Sequence, residues 1–237
     1  MTRKHTSLSH TVARYASILF IFLLLSSCGK PDARLREADG TRIAYTFYEP
    51  AVTTTKAVIL LHELGKDRHV WDELAPELAE HYAVISIDLR GHGESSGDYE
   101  RFTPQDYQNM YKDAGTAQEF LRQKGYTDFG AIGASIGANV ALVYASAYDA
   151  KAAVLLSPGM NIQSINLQAM APKVREPILL IASVDDGYSA ESVDLLQSIL
   201  PRGTKKRYDN AGHGTEMLQN KQVKDDMLAW FAVHIDR

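Results

Sequence analysis

From residue 41 onward, apolar runs alternate with stretches of helical spacing. The segment Thr41–Pro50, TRIAYTFYEP, alternates and is rich in aromatic and β-branched residues, which predicts an early strand. A shorter partner around Leu35 can pair with it across the Asp39-Gly40 turn. KAVILLHE and AVISIDL are apolar runs bounded by polar residues, as strands buried on both faces would be. Between them, HVWDELAPELAEH repeats Val70, Leu74 and Leu78 at helical spacing, with a restart at Pro76. Pro104 to Lys124 reads as one long amphipathic helix, with Tyr107, Tyr111, Ala114, Ala117 and Leu121 on one side. FGAIGA then predicts a strand and IGANVALVYASAY a helix. AAVLLSP and PILLIASV are strands, SAESVDLLQSIL a helix, KKRYDN a short strand, and Glu216 to His234 a closing helix.

This alternation implies an α/β architecture, with a mostly parallel sheet and helices on both faces. One connection departs from the rhythm. Pro158 to Glu176 has weak periodicity and two prolines, and its length suits a small lid rather than a separate cap domain.

The first residues follow another pattern. Arg3, Lys4 and Arg14 precede an apolar run from Ala16 to Leu25, with no acidic residue among them. The run is short of the roughly 20 residues of a comfortable membrane span. A basic start, a short apolar run and small residues read as an export signal over residues 1–27, with an uncleaved anchor as the alternative. The run ends in LSSC, Leu25 to Cys28, which resembles the lipobox of bacterial lipoproteins. The resemblance implies cleavage before Cys28, lipidation of that residue and a place in the bacterial cell envelope. Glycine rather than aspartate after Cys28 favours the outer membrane. Cys28 is also the single cysteine, so an exported chain would have no internal disulfide partner for it. Residues 28–40, polar with Pro31 and Gly40, read as a tether into a domain spanning 41–237. The chain carries 25 Lys and Arg against 29 Asp and Glu, which leaves none of the basic footprint that nucleic-acid binding uses.

The candidate chemistry centres on GASIG, Gly133 to Gly137, which matches G-x-S-x-G. In that motif the serine occupies a tight strand-to-helix turn and its hydroxyl is exposed above the sheet. An apolar strand ends at Ser135 and an Ala-rich helix begins after it, as this requires. The bland reading is a turn whose glycines serve only packing. A phosphate loop is excluded by the spacing of Gly130, Gly133 and Gly137 and by the lack of a G-K-[ST] ending. A serine nucleophile needs a base and an acid to orient it. His213 lies in the Gly-flanked loop NAGHG between the last strand and last helix, where catalytic loops gather beyond strand C-termini. The acid falls between them in chain order, and VDD supplies Asp185 and Asp186. Successive residues leaving a strand point opposite ways, so one of the pair faces the site, and spacing does not choose between them. The N–H of Ile136, the residue after the serine, is one expected oxyanion donor.

Four stretches, LLHELG, DLRGHGESSG, GASIG and the pair SVDD and AGHG, occur in the order found in the α/β-hydrolase superfamily, and the chain from about Thr41 resembles it. The resemblance implies the α/β-hydrolase fold, no cofactor, and Asp186 as the acid with Asp185 in reserve. It points to the N–H of Leu64 as the second oxyanion donor. It gives the DLRGHGESSG turn a shaping role, with no chemistry for Asp88, Arg90 or His92, and makes His62 a brace for the oxyanion loop. His62-Glu63 resembles the dienelactone-hydrolase branch. Glu63 is read as facing solvent or tying down its own loop, in preference to a catalytic role. Met160 and Met170, in the lid-like connection, are placed to line an acyl or aromatic pocket. No grouping of His, Cys, Asp and Glu has metal-site spacing. The expected activity is hydrolysis of a small or medium acyl ester through Ser135, His213 and Asp186. Thioester hydrolysis, acyl transfer and peptide cleavage use the same groups, and a non-catalytic envelope binding module is the reading from another class.

Overall fold

The computed structural model describes residues 34–235. The export signal, Cys28 and the first part of the tether lie outside the described residues. Ten strands are present among these: β1 (Arg34–Arg36), β2 (Arg42–Tyr48), β3 (Lys56–Leu61), β4 (Ala83–Ile87), β5 (Asp128–Ala134), β6 (Ala152–Leu156), β7 (Asn161–Ile162), β8 (Ile165–Asn166), β9 (Ile178–Ser183) and β10 (Gly203–Tyr208). Six helices join them: α1 (Leu74–Ala79), α2 (Pro104–Gln108), α3 (Tyr111–Gln123), α4 (Ile136–Tyr148), α5 (Gly187–Ile199) and α6 (Lys221–His234).

Eight strands form one sheet in the order β1-β2-β4-β3-β5-β6-β9-β10. β2 runs antiparallel to both β1 and β4, and every other pairing is parallel. The central strands are buried on both faces, and period-two alternation divides their side chains between two cores. Ala57, Ile59 and Leu61 of β3 face the core made by α3, α4 and α5. Val58 and Leu60 face the other, made by α1 and α6.

Two helices differ from the sequence reading, and other local features follow it. The expected pairing around Leu35 is present: β1 runs antiparallel to β2 with Leu35 opposite Ile43, so the sheet begins within the stretch also read as tether. The long helix over Pro104–Lys124 is two helices. α2 opens on a capping box between Thr103 and Asp106, and the chain breaks at Asn109, beside a fully buried Met110. The closing helix is also divided. A 3-10 segment spans Gly214–Gln219, and Asn220 then caps α6 by accepting from the Gln222 N–H at 3.0 Å. Pro76 sits in the first turn of α1, where its missing N–H costs nothing, and a separate 3-10 turn over Arg68–Trp71 precedes it. The connection expected as a lid holds the β7–β8 hairpin and a 3-10 turn at Ala171–Lys173.

Candidate active site

Ser135 stands between β5 and α4 with φ 54° and ψ −117°, outside the favoured regions for an L-residue. Strain of this kind is retained where the surroundings over-determine it. A side chain at Gly133 would overlap the Gly137 carbonyl, and one at Gly137 would overlap the Leu61 carbonyl on neighbouring β3. Both glycines are therefore required for the turn that holds the serine. The Ser135 N–H donates to the Leu156 carbonyl of β6 at 2.9 Å, which pins the elbow to the sheet. Its side chain stays partly exposed while its neighbours on both sides are buried.

The structure separates the two aspartates after β9. Asp186 Oδ2 lies 2.7 Å from His213 Nδ1. The Asp186 carboxyl lies below the usual carboxylate range: partial burial opposes its charge, but hydrogen bonds from Ser189 and His213 outweigh that. Asp185 turns the other way, against the Ser183 hydroxyl. The His213 side chain is 48% exposed, whereas that of Asp186 is 16% exposed. The acid is thus sheltered and the imidazole open.

Three strand ends hold the loop that carries His213. The Ser183 hydroxyl, at the end of β9, accepts from the Ala211 N–H at 2.8 Å. The hydroxyl of Ser157, after β6, accepts from the Gly214 N–H at 2.9 Å. Glu63, after β3, accepts from the Thr215 N–H and hydroxyl, both at 2.6 Å. Neither Ser157 nor the destination of Glu63 was legible beforehand. The expectation that Glu63 faces solvent or ties its own loop is corrected: the residue is buried and reaches across to the histidine loop.

Opposite that loop, residues 62–65 follow β3, where the second oxyanion donor was expected. The Leu89 N–H donates to His62 Nε2 at 3.0 Å, so the ring proton sits on Nδ1 and is given to the Glu63 carbonyl at 2.6 Å. Burial pushes the His62 imidazole down to about 4, so it is neutral and acts as a brace. Leu64 is half-buried beside it, and among the described residues its N–H has no acceptor. Ile136 opens α4, so its N–H belongs to the first turn and has no intrahelical acceptor.

The turn after β4 is a knot of buried charge. Asp88 accepts from the Arg68 N–H at 2.7 Å, its guanidinium at 2.5 Å and the Glu94 N–H at 2.8 Å. Arg90 is gripped by Asp113 and Glu37. His92 stacks flat on Tyr99 with ring centroids 4.3 Å apart. Beyond β6, Asn139 of α4 holds the β7–β8 hairpin through Gly159 and Ile165 in three hydrogen bonds of 2.8–3.1 Å. Met160 packs against the main core, and its N–H is held by the Ser192 hydroxyl. Among the described residues, no three His, Cys, Asp or Glu side chains are grouped to hold a metal ion.

The fold is the α/β-hydrolase fold. The family model described as alpha/beta hydrolase fold matches residues 56–172. An esterase of Pyrococcus furiosus superposes with a TM-score of 0.71 at 18% identity, over 86% of this chain and 90% of that one. A pimeloyl-[acyl-carrier protein] methyl ester esterase of Cronobacter sakazakii is 24% identical over 187 residues, 73% of this chain and 70% of that enzyme. An uncharacterized protein of Mycobacterium tuberculosis is also 24% identical, over 72% of this chain. The chain spans only 45% of that protein's length.

Proposed function

We propose that the chain is a serine hydrolase that cleaves small or medium acyl esters. The observation that carries this reading is the 2.7 Å pairing of His213 with Asp186 at the sheet end where the strained Ser135 turn stands. His213 Nε2 takes the Ser135 proton as Oγ attacks the acyl carbonyl, and the ester bond breaks as the imidazolium returns that proton to the leaving alkoxide. Asp186 fixes the tautomer and stabilises the charged imidazole. The Leu64 and Ile136 N–H groups receive the developing oxyanion. Water, deprotonated by the same histidine, releases the acid and restores the serine. The esterases among the relatives and structural neighbours support the substrate class.

A fluorophosphonate probe tests the reading. Wild type should be labelled on the peptide containing Ser135, and Ser135→Ala should not. A folded wild type that stays unlabelled would sink it. A panel of esters, thioesters and amides of graded acyl length then fixes the bond cleaved.

We further propose that the enzyme is lipid-anchored through Cys28 in the bacterial envelope, with the outer membrane favoured by Gly29. The support is the basic start, the short apolar run and LSSC. Palmitate incorporation should be lost in Cys28→Ser, and its persistence would overturn the anchor.

A further inference from the structure

We propose that Glu63 is a positioning residue that sets the distance between the oxyanion loop and His213 by strapping one loop to the other through Thr215; the proposal rests on the serine-hydrolase reading above. Glu63 stands between His62 and Leu64, so it shares the loop that would supply an oxyanion donor. Its carboxylate crosses 152 positions of sequence to take both donors of Thr215, two residues beyond the base. The residue is only 9% exposed. Its second oxygen, Oε2, is buried with no partner among the described residues.

That orphaned oxygen makes a purely stabilising role a poor explanation. Burying a carboxylate is costly unless both oxygens are satisfied, and an apolar side chain of similar size would fill the space more cheaply. The enclosed position of Oε2 also argues against direct contact with substrate. The surroundings limit play in the strap. Gly214 has φ 58°, and a Cβ there would lie 2.5 Å from Glu63 Oε1, so the histidine loop rests directly on the carboxylate. At its root, Glu63 is fixed by the His62 ring, which bonds the Glu63 carbonyl and the Leu89 N–H. The path from Leu64 to His213 is therefore a short series of fixed contacts. Catalysis is sensitive to such spacing, since a displacement of about 1 Å can cost on the order of 100-fold in rate.

The test measures ester turnover and fluorophosphonate labelling on folded variants. Glu63→Ala should lower kcat about 100-fold with KM changed by less than about threefold, because the loss lies in alignment and not in substrate contact. Thr215→Val, which removes the hydroxyl donor, should lose about tenfold, and Thr215→Ser, which keeps both donors, should stay within about twofold of wild type. The double variant Glu63→Ala/Thr215→Val should lose no more than Glu63→Ala alone, as expected for two halves of one contact. In proton NMR, the downfield signal of the His213–Asp186 hydrogen bond should broaden in Glu63→Ala, which a role in stability alone would not cause. Near-wild-type turnover in folded Glu63→Ala, or losses that multiply in the double variant, would overturn the strap. If Glu63→Ala does not fold, the Val and Ser variants at Thr215 decide: equal activity in the two overturns it. An unlabelled wild type would bring down the hydrolase reading and the strap with it; a labelled wild type with unaffected variants would bring down the strap alone.

Discussion

The two walls of the candidate site are built on different physics. Beyond β3 and β4 the loops are held by buried charge: Asp88 with Arg68, and Arg90 with Asp113 and Glu37. Beyond β6 and β9 the histidine loop is held by single hydroxyls, Ser157 and Ser183, each accepting one backbone N–H, with one buried carboxylate, Glu63, reaching it from the other wall. The two histidines show the same contrast. His62 is fully buried with both ring nitrogens committed, whereas His213 is half exposed with one nitrogen tied to Asp186. The wall proposed to present backbone N–H groups can be rigid and dry. The role proposed for His213, a proton shuttle, requires an imidazole open to substrate and water.

The contrast breaks most visibly at the acids. Asp186→Asn should lower kcat/KM by about 10³–10⁴-fold while leaving the fold intact, because the imidazole loses its tautomer partner. Asp185→Asn should stay within about fivefold, since its partner is Ser183 and not the base. The reverse ranking in ester turnover would remove Asp186 from the reaction.

The charged wall should respond in stability. Asp113→Ala removes the fully buried partner of Arg90, leaving Glu37 at 2.7 Å and the exposed Asp39 at 3.7 Å, and should cost about 3–5 kcal/mol in urea unfolding. A loss no larger than that of an exposed pair would show that the knot is not tight. The third effect depends on pH. His62 titrates near 4 in the folded chain against 6.5 when free, so between those values the unfolded chain binds more protons. Its contribution is complete above about 6.5 and is lost as pH falls towards 4, amounting to about 2 kcal/mol at pH 5. Urea midpoints at pH 7 and pH 5 measure this, and His62→Gln should flatten the dependence. The smallest effect lies away from both walls. Lys205 pairs with Asp194 at 2.7 Å on an exposed strand edge, and Lys205→Ala should change stability by less than about 1 kcal/mol. A larger loss would mean that this edge is more than solvated surface.

Much of the architecture was written in local patterns. The buried strands announce themselves as apolar runs, and GASIG is placed by the strand that ends on it and the helix that starts from it. Period-two alternation requires the two aspartates to diverge, but which faces His213 depends on the pleat at Ser183 and needed the family frame. Helix breaks at Asn109 and Asn220 escaped periodicity because the apolar spacing continues through them; in the second case the capping Asn220 was the available signal. The long-range ties were invisible. Nothing near Glu63 in the chain indicates Thr215, and nothing near Ser157 indicates Gly214, because those bonds exist only once the sheet has brought distant strand ends together.

The β7–β8 hairpin hangs from Asn139, four residues past Ser135, so its base is bolted to the helix that starts at the serine. Its tip is another matter. Gln163 and Ser164 both have positive φ, 48° and 68°, in a two-residue turn where Asn-Gly would sit more comfortably. Here the molecule has a natural splice point. Chain added between those residues would lengthen the hairpin while the three bonds at its base kept its tie to α4.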